Sequence, residues 1–287
     1  GLLLACATES DRSIVGSPVA DHMANFSAWS EPVSVGPAIN LPGVDDRQTV
    51  LSKDGLSLYF ASNRAGTLGT LLDIWVSQRA CADASCPWAT PLNLGPTVNS
   101  SASDFAPALS RDEHWLFFGS SRPGAQSGDI WVSFRANVHD DLGWEPPVKV
   151  GAGVNTSGFE GGPGHFENDD AGRPQLFFNR NPLPVNTGGD IYFSEQVADG
   201  SWAAAVPLPE LNTDSTDQHP SVAPNGLEIY FHSNRIGSTL NVAGTSTSND
   251  IWVSTRESVF APWSLPTNLG APINTAADEN GAFIFSH

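Results

Sequence analysis

Five acids stand at one recurring place in this chain. Asp45, Asp104, Glu160, Asp217 and Glu279 each lie five residues beyond an asparagine, at Asn40, Asn99, Asn155, Asn212 and Asn274. Carboxylates that converge can hold Ca²⁺ through their oxygens or work as a general acid and base. Carboxylates that stay apart can each cap a turn by accepting backbone N–H groups. The repetition favours capping, because catalytic groups need unlike roles whereas an architectural residue recurs in every copy. Glu160 is the one most open to a ligand, since Gly161 and Gly162 follow it and leave room.

Positions where the copies differ are the better binding candidates. One and two residues past the acids stand Asp46-Arg47, Phe105-Ala106, Gly161-Gly162, Gln218-His219 and Asn280-Gly281. Arg47, Phe105, Gln218, His219 and Asn280 thus predict a mixed polar and aromatic lining, with His165 just beyond. The chain has no HExxH, no phosphate loop and no Ser–His–Asp arrangement of known spacing. Of nine tryptophans, all but Trp115 belong to repeated motifs, so a spare aromatic platform for sugars is a single ring.

The elements that must position these residues are also repeated. Trp29, Trp88, Trp144, Trp202 and Trp263 recur at separations of 59, 56, 58 and 61, each leading into the stretch that ends in Asn. After each acid comes a short strand pattern, then a turn such as Asp54-Gly55 or Asn225-Gly226, which are strong hairpin dipeptides. An aromatic strand follows, as in Leu58-Tyr59-Phe60, then a Ser-Asn-Arg turn, then Asp-Ile-Trp-Val at 73–76, 129–132 and 250–253, with Asp190-Ile191-Tyr192-Phe193 as its variant. The turn arginine and the strand aspartate, Arg64 with Asp73, are expected to pair within the blade. Short apolar runs without alternation fit strands covered on both faces. Four short strands per unit, repeated at this period, predict an all-β protein: a β-propeller.

The run Ser-Lys-Asp-Gly-Leu-Ser-Leu-Tyr-Phe-Ala-Ser-Asn-Arg-Ala-Gly at 52–66, with the later Asp-Ile-Trp-Val, resembles the WD-like repeat of the TolB propeller family. The resemblance spans 29–287 and weakens in the third copy, where Asn179-Arg180-Asn181-Pro182 replaces the usual turn. It implies a propeller fold and leaves function open. Five inner-strand patterns against four of the aromatic strand predict five blades with the fifth incomplete, as in a chain cut at both ends. In that arrangement 29–40 supply an outer strand and 281–285 an inner one.

Composition narrows the functions. Thirty-one acidic against 13 basic side chains give a net charge of −18, which disfavours nucleic acid as a partner. No apolar run reaches the length of a membrane span. Leu3-Leu4-Ala5-Cys6 resembles the lipobox of bacterial lipoproteins, which predicts a signal-peptide remnant, lipidation of Cys6 and a flexible tether to residue 28, ahead of a propeller at 29–287. Cys81 and Cys86 are spaced for a small disulfide loop and suit an oxidising compartment. Together these features predict a lipid-anchored protein on the periplasmic side of the bacterial envelope, at the outer membrane. Its leading reading is a non-enzymatic scaffold for an envelope protein or the cell wall. The alternative is a carbohydrate-active or glycan-binding propeller with an acidic central mouth, with calcium as the one cofactor the acids suggest.

Overall fold

The computed structural model describes residues 3–4, 29–125, 127–167, 170, 172–181 and 188–285. Cys6, the stretch to residue 28 expected as a tether, and the last two residues lie outside them. Two short strands come first, β1 (Leu3–Leu4) and β2 (Val33–Ser34), paired antiparallel. β1 falls within the segment that lipobox processing would remove.

Four sheets follow, each of four antiparallel strands in consecutive order. Blade one is β3 (Asp46–Leu51), β4 (Ser57–Ser62), β5 (Asp73–Gln78) and β6 (Leu92–Asn93). Blade two is β7 (Asp104–Leu109), β8 (Trp115–Ser120), β9 (Asp129–Phe134) and β10 (Val148–Lys149). Blade three is β11 (Phe159–Phe166), β12 (Gln175–Asn181), β13 (Asp190–Glu195) and β14 (Val206–Pro207). Blade four is β15 (Asp217–Val222), β16 (Glu228–Ser233), β17 (Asp250–Thr255) and β18 (Thr267–Asn268). The described residues contain no helix.

The cores lie between blades. Tyr59, Ile74 and Val76 of blade one meet Leu116 and Phe118 of blade two. Phe117 and Ile130 meet Leu176 and Phe178, and Phe177 and Ile191 meet Ile229 and Phe231. Each blade is therefore apolar on both faces, which is why all six residues of β4 are buried.

The repeated side chains hold each unit shut. The motif asparagine clamps the third strand of its blade: Asn99 Oδ1 accepts from Ile74 N–H (2.8 Å) while its Nδ2 donates to Ile74 O (2.9 Å). Asn155, Asn212 and Asn274 do the same to Ile130, Ile191 and Ile251. The turn arginine does not pair with the strand aspartate as expected. Arg64 reaches Asp46 on the inner strand (2.7 Å), donates to Ile39 O and stacks over Phe60 and Trp75. Asp73 instead accepts from Leu68 N–H and Asn93 Nδ2. The inner-strand carboxylate is the nearer partner because the ladder sets Asp46 directly opposite Ser62, two residues before Arg64.

The described residues form four blades, not the five expected. Residues 281–285 form no strand. A strand exists through its ladder, and among the described residues no second strand pairs with this segment. It lies against the neighbouring blades instead: Gly281 N–H donates to His232 Nδ1, Ile284 N–H donates to Ser221 Oγ, and Phe285 joins the Leu51–Phe60 cluster of blade one. Trp29 packs edge-on against Tyr230 of blade four, and Ile39 enters the blade-one cluster. These two segments occupy the sector between blades four and one.

Candidate functional site

Inner strands start at one end of the axis, where second strands end and third strands begin. That end is the mouth. A cavity of about 590 Å³ opens there. Its wall carries the guanidinium of Arg47 and the amides of Asn179, Asn181 and Gln218, with Gln48 at its base. Phe105 and Phe159 form its aromatic side, and His219 lies at its base. The two phenyl rings are parallel, at an interplanar angle of 4° and 6.0 Å between centroids. They rest on glycine backbone. A Cβ on Gly119 would come 2.4 Å from Phe105, and one on Gly128 2.5 Å from Phe159.

Arg47, Phe105, Gln218 and His219 thus come together as their spacing predicted, and the ladder shows why. Arg47, Phe105, Gly161 and Gln218 are equivalent, facing Ala61, Gly119, Asn179 and His232 on their second strands. Blade one is offset by one residue from the expected alignment. Its counterpart of Asp104 is Asp46, because the loop from Asn40 holds one residue more, turning at Gly43 (φ +74°). Asp45 is half-exposed and pairs with Arg47 at 2.7 Å.

The five acids do not converge. Asp104, Glu160 and Asp217 are fully buried within their blades and paired with Arg122, Arg180 and Arg235. Each also accepts from the backbone N–H and hydroxyl of a loop residue, Ser100, Thr156 and Thr213 respectively. Glu279 accepts from Thr275 in the same way; burial, the largest influence on it, raises its pKa. Glu160 is held like the others despite the glycines after it. No carboxylate is among the described residues that line the cavity, although Asp45 stands beside it on Arg47. Among the described residues no three His, Cys, Asp or Glu side chains gather as a metal cage.

Two expected members lie elsewhere. Asn280 binds Asn249 at the surface and does not line the cavity. His165 sits five residues down the inner strand from Glu160, stacked on Phe117 beside a smaller axial cavity of about 60 Å³. Trp115 lies at the end of β8 remote from the mouth, against Phe134.

The axis is rich in neutral histidine. Burial pushes His165 down to about 4, and burial followed by the charge of Arg47 does the same to His219. His232, stacked on His219 at 5.1 Å, is held well below the usual range by burial and by His219. Gln48, Asn179 and Asn181 were missed in the sequence. The blade-one offset hid Gln48, and the broken turn motif of blade three was the available signal for the two asparagines. Cys81 and Cys86 are disulfide-bonded in the β5–β6 loop, at the face away from the mouth.

No family model matches the chain, and no curated protein sequence does. Among solved structures it is similar to a mutant levansucrase from B. megaterium, at 12% identity over 85% of this chain and 75% of that one, TM-score 0.54. It is similar to a native arabinanase from Bacillus subtilis at 15% identity over 83% and 85%, TM-score 0.51. The likeness is one of fold. A putative TolB from Agrobacterium tumefaciens aligns at 13% identity over 78% of this chain, TM-score 0.49, and the chain spans 65% of its length.

Proposed function

We propose that the mouth cavity binds a neutral glycan and does not hydrolyse it. The observation that carries this reading is the lining: the amides of Asn179, Asn181 and Gln218, the hydroxyls of Ser103 and Ser127, a parallel pair of phenyl rings and one guanidinium, with no carboxylate among the described lining residues. Amides offer both donors and acceptors to hydroxyl groups, and flat apolar rings suit the C–H face of a sugar. Glycoside hydrolysis by the usual route needs two carboxyl groups roughly 5 to 9.5 Å apart across the scissile bond, and the described lining residues supply none. An anionic ligand is disfavoured by the net charge of −18 and by Asp45, which already occupies Arg47. The fold likeness to a levansucrase and an arabinanase makes carbohydrates a reasonable first ligand set.

The test is calorimetric titration of the chain with neutral oligosaccharides of the arabino-, xylo-, cello-, malto-, chito- and fructo-series, with reducing-sugar assay of the mixtures. Binding of at least one series without new reducing ends is expected. Silence across all six refutes glycan binding, and release of reducing ends restores the enzymatic reading.

The lipobox-like start supports an envelope location, with Cys6 as the lipid anchor and cell-wall glycan within reach of the mouth. Cys6→Ser in the whole gene should free the protein from membranes. Retention with lipid label still attached would refute the anchor.

A further inference from the structure

We infer that the mouth takes the end of a glycan chain and excludes its interior. The inference rests on the reading of the mouth as a neutral-glycan site and concerns which part of the glycan enters. Its basis is a ring of equivalent residues around the axis. Gln48, Ala106, Gly162, His219 and Gly281 share left-handed backbone, with φ of 56°, 52°, 55°, 53° and 66°. The first four stand at the bulge where each inner strand slips register against its neighbour.

In this ring Gln48 and His219 are the residues that reach past a methyl group, and they meet across the axis, Nε2 to Nε2, at 2.9 Å. Ala106 N–H donates to Gln48 Oε1 at 3.0 Å and so orients the amide. Its Nε2 faces His219, whose Nε2 must then accept, leaving the proton of the neutral ring on Nδ1. The small residues complete the closure. A Cβ on Gly162 would come 2.8 Å from His219 Nδ1, and one on Gly281 would come 3.2 Å from Gln48. Gln48 and His219 border both the mouth cavity and the smaller one below it, and form the floor between them.

A groove open at both ends can hold the middle of a polymer. A chain that enters along an axis closed at its base does so end-on, and a group that lengthens that end collides with the floor. At the mouth Gln48 and His219 close that base, with Phe105, Phe159 and the amides along the wall to hold the terminal units.

The test uses the full chain and each oligosaccharide series above, immobilised through the reducing end. One set keeps its free terminus, and a second carries a bulky ether on that terminus. The first set is expected to bind at least tenfold more tightly than the capped one. A parallel titration compares a matching polysaccharide before and after partial depolymerisation at equal mass, and binding capacity should rise in proportion to the new ends. Equal binding of capped and uncapped forms, with capacity following mass, overturns end recognition while leaving the glycan reading intact. If the series bind in free solution and only the reducing-end-immobilised forms fail, the opposite terminus is the one that enters, which supports end recognition. If nothing binds in either form, the glycan reading itself falls, and end recognition with it.

Discussion

His219 carries a proton-sensitive part of the mouth floor. Its ring accepts from Gln48 only while neutral, and His165 and His232 are also held neutral along the axis. Burial lowers all three in the folded state, while the unfolded chain titrates near about 6.5. Between those values the unfolded state binds more protons, so stability rises with pH. It is full above about pH 6.5 and is lost as the pH falls toward 4, by on the order of 3 kcal/mol for each of His165 and His219. Urea midpoints measured from pH 7.5 to 4 should fall steeply, and His219→Asn, whose side chain tolerates left-handed backbone, should flatten the slope. A profile indifferent to pH over this range, or unchanged in the variant, contradicts the assignment.

At the scale of one blade, the latch is an inner-strand acid, a turn arginine and the aromatic rings beneath it. Arg122 binds Asp104 and Val98 O and lies over Phe118 and Trp131, an arrangement repeated around the molecule. Removing the charge from Asp104 leaves a mostly buried guanidinium without its counter-ion, which costs about 3 kcal/mol. Asp45, half-exposed, holds no such role, and its loss should cost less than about 0.5 kcal/mol. Asp104→Asn and Asp45→Asn compared by chemical denaturation should therefore differ by several-fold in stability cost. Equal costs would mean that the acid of blade one is Asp45 after all. A second buried group joins blades: Asp141 receives Tyr59, Arg135, Ser57 and Gln78. Burial pushes its pKa up, but these hydrogen bonds outweigh burial and hold it below the ordinary carboxylate range.

For the whole molecule the weak place is the sector between blades four and one. Inner strands β7 and β11 have a neighbouring blade on each side, whereas β3 and β15 meet the irregular segments 29–40 and 281–285 on one side. Segments held by few backbone ladders open at lower free energy. Native-state hydrogen exchange should therefore protect the β7–β8 and β11–β12 hairpins longest and release β3 and β15 earlier. Uniform protection across the four blades would show that the two segments close the ring as firmly as a sheet would. The mouth floor joins Gln48 of β3 to His219 of β15, across this same sector. Occupation of the cavity should accordingly slow exchange in both strands.

The propeller and its strand order were legible in the amino-acid sequence because each blade repeats side chains that make local bonds. Asn99 to Ile74 and Arg122 to Asp104 are contacts within one unit or its connecting loop, and a local requirement repeats at a regular spacing. Arg47, Phe105, Gln218 and His219 were legible for the opposite reason: at equivalent positions the repeat breaks, and what is not needed by every blade is free to differ. Spacing alone could not decide the rest. One extra residue in the loop to Asp46 moved the blade-one alignment, and with it Gln48, since register is set by the ladder and turn. The number of blades was a tertiary matter, because an inner-strand pattern at 281–285 becomes a strand only when another strand lies beside it. So was the placing of the repeated buried acids away from the cavity. An acid in the sequence is a charge, and only the folded blade brings Arg122, Arg180 and Arg235 close enough to hold those charges inside the walls and away from the cavity.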